Sequence, residues 1–275
     1  MKYPEFQQII DTMTKADYDY KKEIEEIEVM QKRATLGIGS AISLNSSAAS
    51  VISLTLPDHV KAMIYAQLSN NRTWQPIYDN RLTIDAIFSN YDIDTLKKAD
   101  PDVLVNRITD IRCGNRQIKK QMQCLKSNIE TLEKIEKENG SISGYYATTN
   151  LVDVIKNLSQ SGKNHKLNCM GIPLVCEYLK GVGVEVIKPD SLLCRLLGRL
   201  GYSKKIPATP WEAIEICKEI GDEYGLSQAE VDTILWQYCA KDKFEVCTDK
   251  PKCAQCGVYN CPSRTCPSLV SNSDF

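Results

Sequence analysis

Histidine is nearly missing from this chain: among 275 residues only His59 and His165 carry an imidazole. That leaves little material for a Ser–His–Asp nucleophile or a His-ligated metal site. An excess of one charge is missing too, since 34 Lys and Arg face 35 Asp and Glu, a net charge of −1. No apolar run reaches the roughly 18 residues of a spanning helix, and the opening MKYPEFQQIIDTMTKADYDYKK lacks the apolar centre of a secretory signal. The expectation is a soluble, cytoplasmic protein with no membrane partner. A GxxxxGK[ST] phosphate loop does not occur, and the GVG at 181–183 does not open a dinucleotide-binding unit. Strand-like alternation is almost lacking as well. With 43% apolar and 25% charged residues, intrinsic disorder is excluded as the dominant state.

The neutral total hides two basic tracts. Arg107 to Lys126 carries six cations against Asp110, a local +5, and Lys180 to Lys205 carries six against Glu185 and Asp190, a local +4. Such tracts can line a cationic groove on a neutral protein. Over residues 4–33, Phe6, Ile10, Met13, Tyr20, Ile24 and Ile27 fall on one helical stripe. The segment ATLGIGSAISLNSSAASVISLTLP reads as a linker or short apolar crossover, after which Pro57 can open a helix. From His59 onward helical patterns dominate, with Asp100, Asn115 and Ser227 suited to cap and Gly140 to stop. The predicted class is all-α, without a fixed-period repeat.

Twelve cysteines over this length do not resemble a small disulfide scaffold. The segment CTDKPKCAQCGVYNC sets Cys247, Cys253, Cys256 and Cys261 in a C-x5-C-x2-C-x4-C array, with Cys266 as a spare or substitute ligand. Four thiolates this close can converge on a soft metal, because a CxxC turn aims two sulfurs the same way. Both an iron–sulfur cluster and a zinc tetrathiolate satisfy the array. Cys113, Cys124, Cys176, Cys194 and Cys217 sit singly in helical patterns, as small apolar residues do.

Ahead of the array, LNCMGIPLVCEYLKGVGVEVIKPDSLLCRLLGRLGY reads as a turn, a helix and a later Asp that opens another helix. Together these segments resemble the helix-hairpin-helix DNA glycosylases of the endonuclease III superfamily. The turn LNCMG is similar to that family's L-P-G-V-G hairpin, KPDSLLCRLLGRLG to its K-P-D-x-H-x-x-R-x-x-x-R-x-G stretch, and the cysteine array to its C-x6-C-x2-C-x5-C loop. HVKAMIYAQLSNNRTW resembles the helix that ends facing the DNA, while LKKADPDVLVNRITDIRCGNRQIKKQMQCLKSN and NHKLNCMGIPLVCEYLKGVGV also resemble 3-methyladenine glycosylases. The likeness spans roughly residues 56–265. It departs from the pattern at Asn168, Cys169 and Leu192, which stand where the family has Pro, Gly and His, and in array loops one residue short.

The resemblance implies a two-lobed fold closed by a C-terminal iron–sulfur loop at 247–261. Residues 57–185 would form a six-helix lobe, and residues 1–56 would join a lobe of 186–275, with the catalytic cleft between. It implies a monomer acting on double-stranded DNA, with a 4Fe-4S cluster (zinc the alternative) on Cys247, Cys253, Cys256 and Cys261. Asp190 becomes the carboxylate that stabilises an oxocarbenium-like sugar, although alone an Asp there reads as an N-cap. Backbone amides from Asn168 through Cys169 and Met170 to Gly171 would hold phosphate, with Lys188 and Arg195 on flanking phosphates. Asn70 and Asn71 would fill the gap left by a flipped base, and Trp74, Tyr78, Tyr145 and Tyr146 are the rings available to stack on it. Pro173 falls where bifunctional members carry a Schiff-base lysine, which points to simple hydrolysis. Strand nicking through Lys180 or Lys188 and a non-catalytic iron–sulfur DNA-binding protein remain the alternatives. The excised base stays open between alkylated purines, other lesions and modified phage bases.

Overall fold

The computed structural model describes residues 1–26, 54–241 and 243–264. Among these residues every regular element is helical and none is a strand, so the chain is all-α. No described helix is long and apolar enough to cross a membrane. The contacts divide the chain into two compact units, Met1–Ile27 with Glu185–Phe275, and Glu28–Val184. The stretch read as a linker lies outside the described residues up to residue 53.

Helix α1 (Pro4–Lys15) belongs to the first unit and buries Phe6, Ile9 and Met13. The expected stripe is corrected in two ways: Ile9 rather than Ile10 enters the core, and the helix stops at Lys15. It stops because Asp17 turns left-handed, at φ 56°. Helical backbone resumes over 20–26, where Ile24 is buried, while residues 27–33 lie outside the described residues.

The second unit is built around α2 (Leu56–Leu68), buried along most of its length. Its first turn is fixed by the Asp58 carboxylate, which accepts from the Thr55 amide at 2.8 Å and the Thr55 hydroxyl at 2.6 Å. Short helices α3 (Gln75–Asp79), α4 (Arg81–Ile87) and α5 (Ile93–Lys98) lead to α6 (Pro101–Asp110), whose first turn Asp100 caps. The expected long helix from Asn115 to Gly140 is two, α7 (Ile118–Gln123) and α8 (Leu125–Asn139), divided at Cys124. Gly140, at φ 78°, ends α8 in a conformation that costs a residue with a Cβ about 1 kcal/mol or more. Helices α9 (Ile142–Thr148), α10 (Leu151–Ser159) and α11 (Ile172–Gly181) complete the unit, with α8 and α11 packed on α2.

Back in the first unit, α12 (Ser191–Arg199), α13 (Pro210–Tyr224) and α14 (Gln228–Cys239) pack on one another, and α1 lies on α14. Ser227 caps α14 in a reciprocal box with Glu230. Two glycines permit close approach. A Cβ on Gly198 would lie 2.6 Å from the Lys205 carbonyl, and one on Gly257 would lie 2.0 Å from Thr12 Oγ1.

Burying so many polar groups of α2 demands partners. His59 is fully buried, with Nδ1 2.9 Å from the Tyr178 hydroxyl and Nε2 3.1 Å from Ser143 Oγ. One nitrogen donates and the other accepts, so the ring is held neutral, and burial lowers its pKa from 6.5 to about 4. A group whose pKa falls on folding stabilises the fold above its unfolded pKa. Stability therefore drains as pH drops from 6.5 toward 4, by about 3 kcal/mol at most. Urea unfolding across that window should show His59→Gln losing less stability than the wild type; parallel losses would refute the assignment.

Candidate functional site

Asp190 caps α12. Its Oδ1 accepts from the amides of Leu192 at 2.9 Å and Leu193 at 3.0 Å, so the N-cap reading holds. Among the described residues no donor reaches Oδ2. Burial raises the Asp190 pKa above the usual carboxylate range, opposed by the Leu193 amide and by the charge of Lys188. Asp232 adds to the upward pressure. It is a buried carboxylate of α14 that accepts from the Lys188 amide at 3.1 Å. Sequence reasoning missed Asp232, and the available signal was an acid set between Val231 and Ile234 in an apolar run.

Arg195, expected on a phosphate, is half-buried, its Nε is sealed from solvent without a partner, and its charge falls on Cys239 and Cys247. The helix that begins at Asp190 presents this residue toward the thiols of its own unit. Lys188 is also half-buried.

The turn 167–171 stands in the other unit, just before α11. Cys169 is left-handed, at φ 59°, at the position where glycine would carry no Cβ penalty. Asn168 is clamped by Asn128, whose Oδ1 accepts from its amide at 2.6 Å and whose Nδ2 donates to its carbonyl at 3.0 Å. Met170 is buried and its amide donates to the Leu167 carbonyl at 3.3 Å, so its N–H is spent within the turn. The amides of Cys169 and Gly171 have no hydrogen-bond partner among the described residues. Pro173 occupies the first turn of α11.

Elsewhere in that unit, Asn70 follows α2 half-buried and Asn71 is exposed at φ 53°. Trp74 stacks on Tyr65 with ring centroids 6.3 Å apart, and Tyr78 lies under the Arg81 guanidinium at 4.6 Å. Tyr145 and Tyr146 are core residues. The Tyr146 hydroxyl is 2.9 Å from that of Tyr178, and the Tyr145 hydroxyl accepts from Asn157 Nδ2 at 2.9 Å. Neither presents a free face for stacking, which corrects the expectation for both.

The cysteine segment of the first unit folds back on the end of α14, where the amides of Val246 and Cys247 donate to the Tyr238 carbonyl at 2.9 and 3.1 Å. Cys247, Cys253, Cys256 and Cys261 all line one small cavity of about 20 Å3, together with Arg199 and Arg264. Each Arg also braces the loop: Arg199 Nη2 donates to the Asp249 carbonyl at 3.2 Å, and Arg264 spans the carbonyls of Val258 at 2.8 Å and Cys253 at 3.1 Å. The thiols make other bonds here. The Tyr238 hydroxyl donates to Cys256 Sγ at 3.1 Å, and Cys261 donates to the Arg199 carbonyl at 3.3 Å. A hydrogen bond from Cys239, reinforced by Arg199, lowers the Cys247 pKa to about 6. Correspondingly, among the described residues no three His, Cys, Asp or Glu side chains converge tightly enough to hold a single ion. Cys266 lies outside the described residues. Cys239, buried beside Cys247, was missed by sequence reasoning, which looked for ligands only within the short-spaced array.

Four thiols around one cavity, with two guanidiniums to offset thiolate charge, fit a soft metal centre in donor type. The chain matches no protein-family model, no curated protein and no solved structure. Metal analysis of protein isolated without oxygen should give about four iron atoms per chain and a brown colour, both lost in Cys253→Ala. About one zinc in colourless protein would instead assign a tetrathiolate.

Proposed function

We propose that the chain is a monofunctional DNA glycosylase of the helix-hairpin-helix kind. It takes a damaged or modified base out of double-stranded DNA and hydrolyses its N-glycosidic bond, leaving an abasic site. The observation that carries this reading is the state of Asp190: one oxygen is committed to two backbone amides and, among the described residues, no donor reaches the other. Base loss leaves an oxocarbenium-like sugar, which a carboxylate fixed in advance stabilises while it orients or deprotonates water. Poor solvation, which raises the Asp190 pKa, also makes its charge act more strongly on a sugar.

Other observations support the same reading. A left-handed residue at 169 and two unused amides before α11 suit a backbone grip on a phosphodiester, a contact without sequence preference. Asn71 is exposed and available to fill the gap left by a flipped base, with Trp74 and Tyr78 as the remaining candidate rings. Pro173 has no amine with which to form a Schiff base.

Cys247, Cys253, Cys256 and Cys261 would hold a 4Fe-4S cluster. When bound, it supplies a cross-link that fixes the loop rather than an open coordination position. Zinc, which draws four sulfurs to about 2.3 Å from one point, is the alternative occupant of the same thiols. Arg199 and Arg264 brace the loop and carry compensating charge. The chain is taken to act as a monomer, on a base left open between alkylated purines, other lesions and enzymatically modified phage bases.

Full-length protein should release free bases, read by mass spectrometry, from at least one of a panel of alkylated, oxidised, deaminated, mismatched and modified phage DNAs. Borohydride should trap no protein on the resulting abasic DNA. A trapped adduct would assign strand nicking through a lysine, and duplex binding without base release from any substrate would leave a non-catalytic DNA-binding protein.

A further inference from the structure

Cys124 and Cys169, 45 residues apart in sequence, meet with their sulfurs 3.3 Å apart, the contact being open to solvent. Cys124 sits at the break between α7 and α8, and Cys169 at the left-handed corner of the turn before α11. Both positions are held from outside the pair. The Asn128 clamp fixes Asn168 on both its backbone groups, Asn168 Nδ2 donates to Ser127 Oγ at 3.2 Å, and Cys169 Sγ faces the Lys120 carbonyl at 3.6 Å. The Lys166 ammonium donates to the carbonyls of Leu167 and Met170 beside the pair. Two thiols held at van der Waals contact need only about 1.3 Å of closure to reach disulfide length.

We propose that Cys124 and Cys169 form a reversible disulfide-exchange site that ties the turn to the start of α8. The partner class is a small soluble disulfide such as oxidised glutathione. Cys169 is exposed and Cys124 half-buried, so the attack falls to Cys169. Its thiolate displaces one glutathione thiolate and forms a mixed disulfide. The Cys124 thiolate then attacks the Cys169 sulfur, forms the internal S–S bond and releases the second glutathione. The protein loses two electrons and two protons, and these reduce the small disulfide to two thiols. Burial of Cys124 pushes its thiol up to about 11, against the smaller pull of the Lys166 cation, as suits a resolving rather than an attacking group. The inference rests on this geometry alone and holds whether or not the chain is a glycosylase.

The full chain would be incubated with oxidised glutathione, blocked with an alkylating agent under denaturing conditions, digested with trypsin and read by mass spectrometry. The expected product joins peptide 121–126 to peptide 167–180 through Cys124 and Cys169, with two hydrogens lost, and dithiothreitol reverses it. In Cys124→Ser the glutathione adduct should instead persist on Cys169, and in Cys169→Ser the cross-link should vanish. If a variant fails to fold, the wild-type time course still decides: a glutathione adduct on Cys169 must rise and then decay as the cross-link appears. A stable adduct on wild-type Cys169 with Cys124 free, or both thiols alkylated throughout, would overturn the proposal.

Discussion

The first unit is organised by the two amide hydrogen bonds that Asp190 Oδ1 accepts at the head of α12. They satisfy two of the donors that every helix leaves open at its start, and they fix where α12 begins. Because α12 then runs nine residues to Arg199, a rigid span of about 13 Å, the same cap fixes where Arg199 meets the cysteine loop. Gly198, one position earlier, admits the Lys205 carbonyl to the helix surface. A carboxylate suits this post because one oxygen can cap while its twin remains available for other chemistry.

The two ends of that helix also share an electrostatic field. Burial chiefly raises the pKa of Cys194 and Cys239 and Asp190 adds to it, whereas Arg195 opposes the rise at Cys239 and adds to the lowering that Cys239 and Arg199 produce at Cys247. In a poorly solvated interior such effects are weakly screened. Arg195 thus supplies positive charge to the thiols of Cys239 and Cys247 in its own unit. The second unit uses neutral groups instead, with the His59, Tyr178, Tyr146 and Ser143 side chains satisfying one another in a water-poor core.

Much of the fold was legible in the sequence because helices are local. The apolar period of 3.6, the caps at Asp100 and Ser227 and the stop at Gly140 are all read within one or two turns. Breaks that depend on a single backbone angle were not legible, as at Asp17 and between α7 and α8. Nor were partners far apart in sequence. Nothing local says that Cys124 meets Cys169, that Cys239 leans on Cys247, or that Asp232 bonds the Lys188 amide. Tyr145 and Tyr146 show the opposite failure, since a ring reads alike whether its hydroxyl faces a ligand or Asn157 and Tyr178 in the core. That the four array cysteines line one cavity was legible because short loops leave them little choice of neighbours.

Whether the charge of Asp190, and not only its cap, acts in base release is read directly from one substitution. Asn at this position keeps an oxygen acceptor for the Leu192 and Leu193 amides and removes only the charge. Single-turnover base release by Asp190→Asn, on whichever DNA the wild type processes, is therefore the most direct measurement. The account predicts a fall of about 100-fold or more, with duplex binding and the thermal midpoint retained. Undiminished release from the folded, DNA-binding variant would contradict it.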